Sequence, residues 1–165
     1  MPKDAAKPSS LHAKLGYAIC GKLCVPAEAD LDLKLSGRAG AAEPALVAAE
    51  ARVPRHVRLG AGSASSEGLA IRSVQRRTDG AHQRVVVEIA APAGSPVDLF
   101  VEGPASDWAL PLPEPDKSTP NEPPGLRRFT FDLDGLPPGA HAQGAKLTLT
   151  AVSPTDAIEV DVHLD

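Results

Sequence analysis

The chain has 165 residues, including Gly 14 and Pro 17, and its 17 Lys and Arg against 21 Asp and Glu give a formal charge of −4. That length suits one ordinary domain or two small ones, and a core of this size needs no metal or disulfide to hold it. The acidic balance argues against a general nucleic-acid binder, and no apolar run approaches the ~18–20 residues of a membrane-spanning helix. Hydrophobic residues make up 42% of the chain but aromatics only 3%, so the core is expected from the aliphatic faces of strands. The opening Met1-Pro2-Lys3-Asp4 lacks the apolar stretch of a secretory signal.

Residues 1–10 (MPKDAAKPSS) are small and polar and read as a loose lead-in. Residues 11–19 (LHAKLGYAI) carry enough Leu, Tyr and Ile for a strand running into two cysteines, Cys20 and Cys24. From Glu28 to Ser36, Leu31, Leu33 and Leu35 alternate with Asp30, Asp32 and Lys34. This period of two predicts a half-buried strand with one wet face, ended by Gly37-Arg38-Ala39-Gly40. Residues 41–52 (AAEPALVAAEAR) predict a short connecting helix, with Pro44 tolerated in its first turn, that stops before Val53-Pro54. Residues 59–68 (LGAGSASSEG) have linker composition.

Beyond Leu69 the sequence becomes a series of short strands. LAIRSVQRR (69–77) and RVVVEIA (84–90) flank Thr78-Asp79-Gly80-Ala81, and Asp-Gly between alternating runs is a hairpin signal. PVDLFVEG (96–103), DWALPL (107–112), RRFTFDLDG (127–135), AKLTLTAVS (145–153) and AIEVDVHLD (157–165) follow. Seven short strands separated by Pro and Gly turns predict an immunoglobulin-like β-sandwich. No helical segments separate them, which disfavours a parallel α/β fold. Residues 113–125 (PEPDKSTPNEPPG) are expected to form an exposed, Pro-rich acidic loop. The fold class expected is therefore all-β: a sandwich over 69–165, preceded by a cysteine-bearing strand pair over 1–40 and a helix and linker over 41–68.

A single close cysteine pair in an otherwise cysteine-free chain is a local device. It suits a redox pair, a structural clip, or half of a metal site. Exchange chemistry needs a thiolate and a second thiol near enough to resolve a mixed disulfide. Gly21 favours a tight return of the chain between the two, and the ammonium of Lys22 favours the thiolate form. Two thiolates also suit Cu(I), whereas zinc needs two further ligands that nothing nearby supplies.

The stretch Tyr17-Ala-Ile-Cys20-Gly-Lys-Leu-Cys24-Val-Pro26, followed by the Leu31/Leu33/Leu35 strand, resembles the end of the N-terminal periplasmic domain of DsbD-type thiol:disulfide interchange proteins. The likeness is nearer to their suppressor-of-copper-sensitivity branch. It implies an immunoglobulin-like domain that works without a cofactor in the periplasm. Such a domain passes electrons between a membrane thiol:disulfide oxidoreductase and thioredoxin-like partners. By the same resemblance Cys24 forms the mixed disulfide, Cys20 resolves it, Tyr17 packs beside the pair, and Pro26 fixes the start of the strand. In that family most strands of the cysteine-bearing domain, and a capping loop, come before the cysteines. Only 19 residues precede Cys20 here, so the resemblance implies a first domain either truncated at its N-terminus or reduced to a remnant. The reading from a different class is a non-catalytic interaction module with a structural or vestigial cysteine pair.

Other residues read as structural. His12, His56, His82, His141 and His163 are scattered and form no nucleophile motif, although His12 is near enough in sequence to approach the cysteines. Arg72, Arg76, Arg77 and Arg84 on the 69–90 hairpin suit a charge-blunted sheet edge. Asp132 and Asp134 lack the further oxygen ligands that calcium needs, and Trp108 is expected to anchor the sandwich core.

Overall fold

Alternation at period two builds both parts of the molecule. The computed structural model describes all residues except 1–8, 21–22, 36–41, 62–67, 80–81 and 117–122, and describes the backbone alone at Ser9, Cys20, Cys24 and Asp79. The chain divides into two compact units, Met1–Ala48 and Ala49–Asp165.

The first unit is a two-stranded antiparallel hairpin of β1 (Ser9–Cys20) and β2 (Cys24–Leu35). Directly opposed residues share a face of an antiparallel pair, so the register sorts the side chains completely. The odd-numbered set runs Leu11, Ala13, Leu15, Tyr17, Ile19 on β1 against Leu33, Leu31, Ala29, Ala27, Val25 on β2. The even-numbered set holds the charge: His12 pairs with Asp32, and Lys14 Nζ lies 3.1 Å from Glu28 Oε2. The alternation predicted for Glu28–Ser36 is present, but its half-burial is not, for Leu31 and Leu33 are 59% and 57% exposed. A two-stranded sheet supplies no second layer of its own to cover an apolar face. The helix α1 (Glu43–Glu50) follows, with Pro44 in its first turn and every residue exposed.

The second unit is an immunoglobulin-like sandwich of two four-stranded sheets. One sheet orders β3 (Arg55–His56), β10 (Ala157–His163), β9 (Lys146–Val152) and β6 (Asp98–Glu102). The other orders β4 (Ala70–Asp79), β5 (His82–Ala90), β8 (Leu126–Asp132) and β7 (Glu114–Pro115). Inward residues of both sheets form one core. Ile71, Val85, Val87, Ile89, Phe129 and Phe131 meet Leu99, Leu147, Leu149, Ile158, Val160 and Val162. Trp108 packs half-buried against this core, and a Cβ on Gly103 would fall 2.4 Å from the Trp108 Cβ. Glycine is thus the residue that lets the indole seat.

The β4–β5 hairpin has the predicted pairing, ending at Asp79 opposite His82, while the turn at Gly80-Ala81 lies outside the described residues. So do Gly37-Arg38-Ala39-Gly40, most of the 59–68 linker and the middle of the 113–125 loop. One predicted strand is corrected. Residues 107–112 form no strand; the amide of Trp108 closes a turn on Ala105 O at 3.1 Å. Pro111 removes an amide donor within this stretch, and Pro113 removes the one just past its end. The short β7 pairs with β8 just after them. Strand β3, not foreseen in the sequence, joins β10 in parallel through Arg55 and His56.

Candidate functional site

The register of the first hairpin decides where the cysteines stand. Every residue from Ser9 to Cys20 has a partner on the opposing strand, and the last position sets Cys20 against Cys24. Residues directly opposed in an antiparallel pair have Cα atoms about 4.5–5.5 Å apart, within the ~4.4–6.8 Å span of disulfides. The hairpin backbone therefore brings the two thiol-bearing positions within bonding range at its tip. The turn between them contains Gly21 and Lys22, which lie outside the described residues, and Leu23, which is 77% exposed.

The remaining predicted site residues lie along the strands. Pro26 is exposed on β2 opposite Ala18. A strand with no neighbour on its outer side tolerates a missing donor. Tyr17 is opposite Ala27 and three residues from Cys20, about 10 Å along the strand. His12 does not approach the cysteines. It stands opposite Asp32, eight residues from Cys20, or about 26 Å at the strand rise, and its imidazole is engaged with the Asp32 carboxylate.

Elsewhere, charged groups are paired in ways that support the sheets. His56 Nδ1 lies 3.2 Å from Glu159 Oε1, and Arg55 Nη2 donates to Asp156 at 2.8 Å, fastening β3 beside β10. Arg84 Nε donates to Asp132 Oδ1 at 2.8 Å, and this bond holds the Asp132 carboxyl below its ordinary range. Asp132 is thus half of a cross-strand pair. Glu88 accepts from Arg128 Nη2 at 2.6 Å and from Ser73 Oγ at 2.9 Å, and both lower its pKa, the arginine most. Lys146 and Thr148 act in the same way on Asp161. Among the described residues no cluster of three His, Cys, Asp or Glu is placed to hold a metal, and no helix is long and apolar enough to cross a membrane.

The fold has a solved counterpart. The chain is similar in fold to the N-terminal periplasmic domain of ScsB from Proteus mirabilis. The TM-score is 0.58 at 16% sequence identity, and the match covers 94% of this chain and 57% of that one. The chain thus spans a little over half of the ScsB domain, and at this identity the likeness is one of fold. No protein-family model matches the sequence, and no curated protein matches it significantly. The match to the ScsB domain extends over nearly the whole chain.

Sequence reasoning missed one feature of the sandwich. A groove of about 620 Å³ opens between the edge strands β6 and β7, lined mainly by Val97, Leu99, Phe100, Leu112, Pro113, Pro115 and Phe129, with Asp98 and Glu114 also on its wall. Phe100 and Leu112 are exposed within it. The pattern at Leu99 and Val101 announces the inward face of β6 but leaves Phe100, on the other face, reading as an ordinary surface residue.

Proposed function

We propose that the protein is a thiol–disulfide exchange module that passes electrons to or from a partner protein through Cys20 and Cys24. The observation that carries this reading is the terminal register position of the hairpin, where the only two cysteines of the chain are directly opposed. The fold similarity to a periplasmic ScsB domain supports it, and the same similarity favours a periplasmic location. On this reading residues 1–40 are the cysteine-bearing part of a thiol-exchange domain, 41–68 a connector, and 69–165 the sandwich.

The chemistry is a balanced two-electron exchange. The Cys24 thiolate attacks one sulfur of a partner disulfide, forming a mixed disulfide and releasing one partner thiolate. The Cys20 thiolate then attacks Cys24 Sγ, closing the Cys20–Cys24 disulfide and releasing the second partner thiolate. Two electrons pass to the partner, and the reverse sequence returns them. Lys22 favours the thiolate electrostatically, and Pro26 fixes the start of β2, whereas Tyr17, which the register puts on the other face of the hairpin, takes no part. No cofactor is required. The partners suited to this chemistry are thioredoxin-like proteins and membrane thiol:disulfide oxidoreductases.

Trapping tests the assignment. With the resolving thiol removed, Cys20→Ser is expected to accumulate a mixed disulfide with an oxidised thioredoxin-like protein, resolved by mass and released by dithiothreitol. The double variant Cys20→Ser/Cys24→Ser is expected to form none. Failure of Cys20→Ser to form any mixed disulfide removes Cys24 as the exchanging sulfur. The second reading, a non-catalytic interaction module, draws on the apolar groove between β6 and β7. It requires partner binding that survives loss of both cysteines.

A further inference from the structure

The face of the first hairpin that carries the odd-numbered residues is apolar from Leu11 to the turn and back to Leu35. Eleven of its twelve positions, from Leu11 to Ile19 on β1 and from Val25 to Leu35 on β2, hold only Leu, Ile, Val, Ala and Tyr; the twelfth is Ser9, opposite Leu35. Eight of them are large, and these are 44% to 64% exposed. The opposite face carries the charge, including the pairs His12 with Asp32 and Lys14 with Glu28, so it is suited to remain in water. Scattered exposed apolar residues are ordinary, but a contiguous stripe of this length marks a surface that another surface covers.

We infer that this face is the interface of a homodimer, in which two copies pack their hairpins face to face as a four-stranded, two-layer sandwich. The area fits. At roughly 100 Å² of exposed side chain for each of the eight large residues, one copy offers on the order of 800 Å², the contribution of each partner to an interface of standard size. The chemistry fits as well. The face presents no charge to attract an acidic or basic partner, and its polar residues are Tyr17 and, at the open end, Ser9. Stacked sheets pack best when length and twist agree, and a second copy supplies a sheet identical in both. A two-fold axis sets the same patch against itself, so one apolar face satisfies both subunits. The charged faces turn outward into water. The inference is independent of the exchange chemistry proposed for Cys20 and Cys24.

Sedimentation and light scattering of the full chain test it, carried out in reductant so that disulfide-linked species do not count. The expected result is a concentration-dependent doubling of mass. The variant Leu31→Asp/Leu33→Asp is expected to stay at the mass of one chain while the near-ultraviolet signal of Trp108 in the sandwich is unchanged. Asp30→Asn, on the charged face, is expected to leave the dimer in place. Hydrogen exchange on the unaltered chain gives a second reading that does not depend on how a variant folds. Amides of β1 and β2 should gain protection as concentration rises, while those of β5 and β9 should not. A wild-type chain that remains a monomer at the highest attainable concentration overturns the inference, whether its hairpin is free or captured by lipid vesicles. So does a dimer that persists in the double Asp variant.

Discussion

Glu88 shows how single residues stabilise this sandwich. It sits on β5 between Ser73 of β4 and Arg128 of β8, and its carboxylate accepts a hydrogen bond from each. Those bonds stabilise the charged form and lower its pKa; Asp132 and Asp161 are lowered by Arg84 and by Lys146 in the same way. A carboxyl whose folded pKa lies below its unfolded value adds stability that is full above the unfolded value and is lost as pH falls through the folded one. The midpoint of urea unfolding is therefore expected to hold steady from neutral pH down to about 5, then to fall below about pH 4, where ordinary carboxyl groups begin to protonate. Glu88→Gln should cost about 1–3 kcal/mol at neutral pH, the scale of a charge-assisted bond in a partly buried place, and should flatten the acid limb. An acid limb unchanged in Glu88→Gln assigns the pH dependence to other groups. Sequence alone did not announce this cluster, since Ser73, Glu88 and Arg128 are far apart in the chain and meet only through strand order.

At the scale of elements, legibility followed the strength of alternation. Strands β8, β9 and β10 were readable because Phe129/Phe131, Leu147/Leu149 and Ile158/Val160/Val162 repeat at period two and all face the core. The β4–β5 hairpin was readable from its flanking runs and Asp-Gly turn. Residues 107–112 misled because Trp108, Leu110 and Leu112 mimic a strand, whereas prolines on either side of Leu112 deny the stretch its ladder. Strand β3 was invisible because Arg55 and His56 carry no apolar pattern; it exists through pairing with Ile158 and Glu159 and through salt bridges to Asp156 and Glu159. In the first hairpin the pattern was legible but burial was not, since alternation shows which side is apolar and not whether anything covers it. The elements also differ in what they contribute. Leu149 is fully buried, so Leu149→Ala should cost about 2–5 kcal/mol through lost burial and a cavity. Leu46 on α1 is 58% exposed, and Leu46→Ala should change stability by no more than about 0.5 kcal/mol. Comparable losses in urea titrations of the two variants would contradict this division between core and connector.

The whole molecule combines a hairpin that brings two cysteines together with a sandwich whose core is complete in itself. The sandwich was legible in outline from composition and turn spacing. The cysteine pair was visible in the sequence, and the register adds that Cys20 and Cys24 are opposed rather than merely close in sequence. What the sequence did not reveal, that the apolar stripe of the hairpin stays exposed and that a groove opens between β6 and β7, depends on exposure, which only a folded chain defines. A thiol-trapping redox titration of Cys20 and Cys24 against glutathione and dithiothreitol buffers, read by mass, tests the exchange reading most directly. The expected result is a reversible two-electron transition between roughly −120 and −280 mV, the span of proteins that exchange thiols and disulfides. A disulfide reduced only below about −300 mV, as structural disulfides are, or a pair that never closes, would contradict it and move the function to the sandwich.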